Sequence, residues 1–317
     1  MTQFTGTTAG AADRSTRRGR TRQATGGRKR RRSLVAYLYV LPAFVVFAVF
    51  LGVPFLQSVQ YSFYDWDGLS VATWAGFANY ASVFTDAQLR ASFGHALVLM
   101  VFYAAVPVVV ALFLTALISR ANALRGMSFF RTVLFLPQVI ASVVVATIWV
   151  SIYAADGLLN DALRLVGLGQ FAQVWLGGYD TALPAIGFVG TWLNVGLCLV
   201  LFLSGVGNIH PSLFEAARID GAGAAREFLS ITLPSLRGQI AAALTLTVVS
   251  ALKTFDLVYV TTSGGPGNST SVPAFEAYNR AFQTGQVGSA AAVAVSLTVV
   301  IMIVTALISR LQPKDVA

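Results

Sequence analysis

The chain has 317 residues, 56% of them hydrophobic and 11% charged, with a mean hydropathy of +0.70 and a formal net charge of +9. A water-soluble domain has about a quarter of its residues charged, so the composition points to a membrane protein. Ten of the 22 Lys and Arg precede position 33, in DRSTRRGRTRQATGGRKRRR, so the net charge belongs mainly to one tail and nothing else suggests nucleic acid.

That tail, residues 1–33, has too few apolar side chains to bury a core and is expected to be disordered. Its basic residues suit a cytoplasmic anchor that orients the first span, or contact with RNA or anionic lipid. Crossing a hydrocarbon core of about 30 Å takes about 20 mostly apolar residues. Six stretches qualify: 34–59, 95–118, 128–152, 182–206, 239–262 and 287–309. The expected class is therefore all-α and polytopic, with six transmembrane helices. The first stretch, LVAYLYVLPAFVVFAVFLGVPFLQSV, is too long for a signal peptide or a twin-arginine signal, and no A-x-A site follows it. Pro42, Pro54, Pro107, Pro137 and Pro184 lie within or beside spans and predict kinks.

The segments between spans give the orientation. With the N-terminus inside, the internal segments beyond the tail hold eight Lys and Arg, among them Arg120, Arg218, Arg226 and Lys314; the external ones hold three, Arg90, Arg164 and Arg280. Lys and Arg accumulate on the cytoplasmic side, so both termini, including tail 311–317, are expected there. The external loops collect the acids Asp65, Asp67, Asp86, Asp156, Asp161 and Asp180, and their YDWDGL and WLGGYD stretches fit an interfacial aromatic belt. Cys198 is the only cysteine, and His95 and His210 lie far apart, so neither an intrachain disulfide nor a metal site is expected.

Two spans carry polar side chains at membrane depth. In GTWLNVG of the fourth, Trp192 and Asn194 combine an aromatic face with an amide, as sugar binding requires; simple helix packing explains the aromatic equally well. In TLTVVSALKTFDLVYV of the fifth, Thr247, Ser250 and Thr254 recur at helical spacing and could line a solute pathway. Lys253 and Asp256 sit three apart and are each costly in hydrocarbon, so they are expected to face the bundle interior and pair, either in the pathway or as a packing ion pair.

Between these spans lies EAARIDGAGAAREFLSITLP, in the loop 207–238. Pro211 suits a first helical turn, and Gly221 suits a C-terminal position with positive φ. A second helix is expected from Ala222 to Ile231, ending before Leu233-Pro234. Short helices of this kind need a docking surface, which the pattern alone allows to be either the bilayer or another protein. Glu215, Ala216 and Ala217, then Gly221 after three residues, then Ile231 and Leu233-Pro234, resemble the EAA loop of binding-protein-dependent ATP-binding-cassette importer permeases. LPAFVVFAVFLGVPFLQSVQYSF, FANYASVF, RTVLFLPQVIASVV and TSGGPGNST are similar to the sugar type, the maltose F-subunit and glycerol-phosphate permease group, over about 34–310.

The resemblance implies a type I importer permease fold and a carbohydrate importer subunit that is not itself an enzyme. It implies that Glu215, Ala216, Ala217, Asp220, Gly221, Ile231, Leu233 and Pro234 couple to the ATPase. The implied partners are a second, related permease in a heterodimer, two cytoplasmic ATPase subunits, and an extracytoplasmic sugar-binding protein docking on loops such as SGGPGNSTSVPAFEAYNRAFQ. ATP and Mg would be bound by the ATPase, since this chain has no G-x-x-x-x-G-K-[ST] phosphate loop and is expected to hold no cofactor. The alternative is an ion-coupled secondary carrier using Lys253 and Asp256, which would have no need for the loop.

Overall fold

The computed structural model describes residues 26–118 and 127–310 and divides after Phe55 into two units, each taken by itself. The basic stretch before position 26 and tail 311–317 lie outside the described residues, as does the 119–126 segment that contains Arg120 and Arg125. In the first unit, helix Gly26–Phe47 runs into a wide π turn, Ala48–Gly52, and the division falls within the next helix, Val53–Tyr61.

The π turns have a common cause. Proline has no N–H for the carbonyl four residues earlier. For Pro54 that carbonyl belongs to Phe50, for Pro107 to Tyr103 and for Pro234 to Ser230, each the middle residue of a π turn: Ala48–Gly52, Val101–Ala105 and Phe228–Thr232. The chain absorbs the missing bond as a local widening. At Pro54 and Pro107 the expected kink is therefore a π turn.

The second unit contains a two-residue antiparallel ribbon, Tyr64–Asp65 against Thr73–Trp74, a small departure from an all-α class. Span two is one run, Ala87–Ile118. It starts before the expected 95 because the Asp86 carboxylate caps it, accepting from the N–H groups of Gln88 (2.8 Å) and Leu89 (3.4 Å).

The third expected span, 128–152, is two helices, Met127–Val139 and Ser142–Ile152, bent by 106°. The Ile140 N–H closes a turn onto the Pro137 carbonyl (3.3 Å), and Ala141 is extended, at φ −59° and ψ 135°. Span four is a single helix, Ala182–Gly207. The fifth, expected over 239–262, ends at Leu252. Phe255, at φ −133° and ψ −57°, leaves helical geometry, and a short helix Asp256–Thr261 follows. Helix Pro273–Phe282 precedes the sixth span, Val287–Ser309. Among the described residues, four helices are long and apolar enough to cross a membrane, or up to six if each bent pair is one span.

Span four is the axis of this unit, packed against span two and Met127–Val139. Glycines permit the close approach: a Cβ on Gly196 would overlap the Leu134 carbonyl, and one on Gly190 the Tyr103 ring. Small residues serve this purpose in lipid, where apolar burial alone gives helices little reason to associate.

At the end away from loop 207–238, a polar network holds helix Pro273–Phe282 to the start of span two. Arg280 donates to Asp86 Oδ2 (2.6 Å) and Ser289 Oγ (3.0 Å), while buried Glu276 accepts from Gln88 Nε2 (2.8 Å) and Ser271 Oγ (2.5 Å). Burial raises the Asp86 pKa, but the Arg280 guanidinium and the two capping N–H groups outweigh it and hold the carboxyl below its ordinary 3.8. In loop 153–181, buried Asn160 accepts from the Trp175 indole (2.9 Å) and donates to Gln173 O (2.9 Å), so this Trp is an internal brace rather than part of a lipid-facing belt.

Candidate functional site

Two helix breaks and one π turn meet around a polar cavity of about 470 Å³. Span two contributes Tyr103 from its π turn, and span three contributes Gln138 and Ser142 from the two sides of its break. Asn194 comes from span four, while Ser250, Lys253, Thr254 and Asp256 come from the end of span five and its break. Irregular backbone of this kind is tolerated at membrane depth where it is buried in protein or lines a cavity.

Asp256 and Lys253 do not pair within one helix, as the spacing had suggested. Lys253 ends one helix and Asp256 opens the next, so the three-residue spacing no longer sets their side chains together. Asp256 Oδ2 instead accepts from Ser142 Oγ at 2.5 Å, tying the break in span five to that in span three. Lys253 makes no ion pair among the described residues and borders the cavity.

The remaining expected pathway residues divide. Asn194 is 4% exposed, lines the cavity and donates to its own helix at Gly190 O (2.8 Å). Trp192 does not share it: residues two apart lie on different helix faces. Its ring meets Trp149 edge-to-face at 5.7 Å and lines a separate apolar groove with Val133 and Leu136. Ser250 and Thr254 line the polar cavity, but Thr247 is fully buried outside its lining, its hydroxyl donating to Ala243 O (2.8 Å). Tyr103, Gln138 and Ser142 were missed by sequence reasoning. The signals available were Pro107, four residues after Tyr103, and Pro137, next to Gln138.

The loop is built more simply. His210 caps helix Pro211–Ile219, accepting from Ser212 N (3.3 Å), and Pro211 occupies the first turn. Gly221 has φ +74°, the left-handed region open to glycine, and Ala222 N–H closes back on Ala217 O at 2.8 Å. The second helical run is Ala224–Ser235, later and longer than the expected 222–231. Leu233-Pro234 does not end it, because the π turn Phe228–Thr232 accommodates Pro234; the chain bends instead by 67° at Leu236 into Arg237–Leu252. Arg218 Nε holds the two helices together through Glu227 Oε1 (3.1 Å). Glu215, Ala216, Asp220, Gly221 and Pro234 are exposed, Ala217, Ile231 and Leu233 half-buried, and Ile219 is 86% exposed.

Residues 99–315 match the family described as "Binding-protein-dependent transport system inner membrane component". The chain belongs to that family. It is a multi-pass membrane component of a transport system that depends on a solute-binding protein, not an enzyme. Relatives include the diacetylchitobiose uptake system permease protein NgcF of Streptomyces coelicolor, 35% identical over 90% of this chain and 86% of the relative. The multiple sugar-binding transport system permease protein MsmF of Streptococcus mutans is 33% identical over 88% and 95% of the two chains. The probable ABC transporter permease protein YurN of Bacillus subtilis is 34% identical over 89% and 95%. The fold is shared with a chain in the crystal structure of a bacterial ABC transporter involved in the import of the acidic polysaccharide alginate. That chain has a TM-score of 0.74 and 21% identity, over 92% of this chain and 99% of the other.

Proposed function

We propose that this chain is one permease half of an ATP-driven carbohydrate importer in the cytoplasmic membrane, with both termini in the cytoplasm. A second, related permease completes the pathway, two ATPase subunits bind ATP and Mg, and an extracytoplasmic sugar-binding protein delivers the solute. Relatives whose names refer to diacetylchitobiose and to multiple sugars support the substrate class. The exposed Glu215-Ala216 helix next to the Gly221 bend carries the coupling role: a helix too short to persist alone has no buried residue and needs a second protein to dock on. Closure of the ATPase pair would push on this helix. The push would pass through Ala224–Ser235 and the bend at Leu236 into the helix that ends at the cavity, so access alternates between two arrangements. A secondary carrier has no use for such a loop.

Glu215→Lys and Gly221→Pro test the coupling role. Proline fixes φ near −65°, which the +74° bend cannot accept. Both variants should insert and remain monodisperse, lose ATP-driven uptake and copurify with the ATPase at least about tenfold less, roughly 1.4 kcal/mol of docking energy. ATPase recovery and uptake at the unsubstituted level in both would contradict the assignment.

A further inference from the structure

Among the described buried side-chain polar atoms that lack a hydrogen-bond partner, the Tyr103 hydroxyl borders the polar cavity. The residue is 3% exposed, and three features fix it there. Pro107 withholds a donor from the Tyr103 carbonyl and opens the π turn Val101–Ala105, changing the direction in which residue 103 leaves the helix. Gly190 leaves the space its ring occupies. Thr191 Oγ1 donates to Phe102 O at 2.6 Å, pinning the same turn to span four.

Of the surrounding groups, the Thr254 hydroxyl alone interacts with it, outside hydrogen-bond geometry. Thr254 donates to Ser250 O (3.0 Å), Asn194 to Gly190 O and Ser142 to Asp256. Lys253 contributes an ammonium with no ion pair among the described residues. A buried hydroxyl without a partner is costly, and such orphan groups call for an explanation such as an absent ligand.

We propose that Tyr103 is a solute-binding residue of this permease, its hydroxyl exchanging a hydrogen bond with a hydroxyl group of the transported sugar. Lys253 and Asp256, which line the same cavity, supply a donor and an acceptor. The cavity thus offers a polyhydroxylated solute both donors and acceptors. This inference rests on the carbohydrate reading above, and the experiment separates the two.

The complete transporter, with its partner permease, ATPase pair and binding protein, is assayed in cells for uptake of radiolabelled diacetylchitobiose, lactose and a panel of common mono- and disaccharides. Tyr103→Phe keeps the ring and removes only the hydroxyl. With any sugar the unsubstituted transporter carries, uptake through Tyr103→Phe should fall about five- to tenfold, the loss expected for one hydrogen bond. The thermal midpoint of the purified complex should be unchanged, since no protein hydrogen bond of normal geometry is removed. Monodeoxy analogues provide a reading that a structural role would not give: one analogue should be carried poorly by the unsubstituted protein, and Tyr103→Phe should no longer distinguish it from the parent sugar. Unchanged uptake and discrimination in Tyr103→Phe, or a lowered thermal midpoint, would overturn the inference and leave the carbohydrate reading intact. Failure of the unsubstituted transporter to carry any sugar would overturn both.

Discussion

The loop Pro211–Ser235 and the polar cavity are the two working regions of the chain, and they are encoded differently. The loop is contiguous. Its cap, its bend and its exposed helix follow one another within about two dozen residues, and each depends on a neighbour a few positions away. The cavity draws on four spans, and its polar groups, several of them at backbone breaks, are separated by up to 153 residues, from Tyr103 to Asp256. A motif read along the chain finds the first region and only part of the second. The loop should therefore fail locally when mutated, with the bundle intact, whereas damage to the helix packing that brings the cavity together should extend to assembly.

The largest effect that would sharpen this contrast is expected at Gly196. Its missing Cβ makes room for the Leu134 carbonyl, which is backbone and cannot move aside. Gly196→Val should part span four from Met127–Val139 and remove most of the monodisperse permease in a detergent-solubilised membrane fraction. Overpacking a well-packed site costs about 1 to 3 kcal/mol even where relaxation is possible. Recovery equal to that of the unsubstituted chain would show that these helices do not pack through this glycine.

A smaller, functional contrast divides residues 192 and 194. Asn194→Ala removes a cavity-lining amide and should lower uptake about tenfold, near the 1.4 kcal/mol of one good polar contact, with assembly kept. Trp192→Ala opens the apolar groove beside Trp149 and should act mainly on thermal stability. If the Trp192 variant had the larger uptake defect with stability unchanged, the solute would be passing the other face of span four.

How much was legible follows from the same division. Gly221 and Pro211 announced themselves because turn chemistry is local. Apolar length picked out the regions of the spans, but could not tell a continuous helix from the 106° break after Pro137 or the stop at Leu252. The Lys253–Asp256 expectation failed because a three-residue spacing implies contact only while the helix continues. The Thr247 expectation failed because a hydroxyl can bond to its own helix, so polarity at helical spacing does not ensure that a side chain faces a cavity. The proline rule was readable but unused: a proline four positions after a residue marks that residue's carbonyl as unpaired, and in three places the chain answers with a π turn.

The smallest expected effect lies at the end away from the loop. Asp86 has a lowered pKa, so its contribution to stability is complete above the ordinary 3.8 and is lost as pH falls through its lower folded value. Thermal unfolding of the purified complex between pH 6 and about pH 3 should show a decline that Asp86→Asn reduces. An identical decline in the variant would mean that the pair with Arg280 does not contribute.

The account stands most directly on which side of the membrane the exposed helix faces and what it touches there. A single cysteine at Ala216, with buried Cys198 replaced by Ser, permits one measurement: labelling and cross-linking in sealed vesicles of known orientation that contain the whole transporter. The account predicts modification only from the cytoplasmic side, protection when the ATPase is bound, and a cross-link from position 216 to that ATPase. Modification from the outer side, or equal labelling with and without the ATPase and no cross-link, would contradict it.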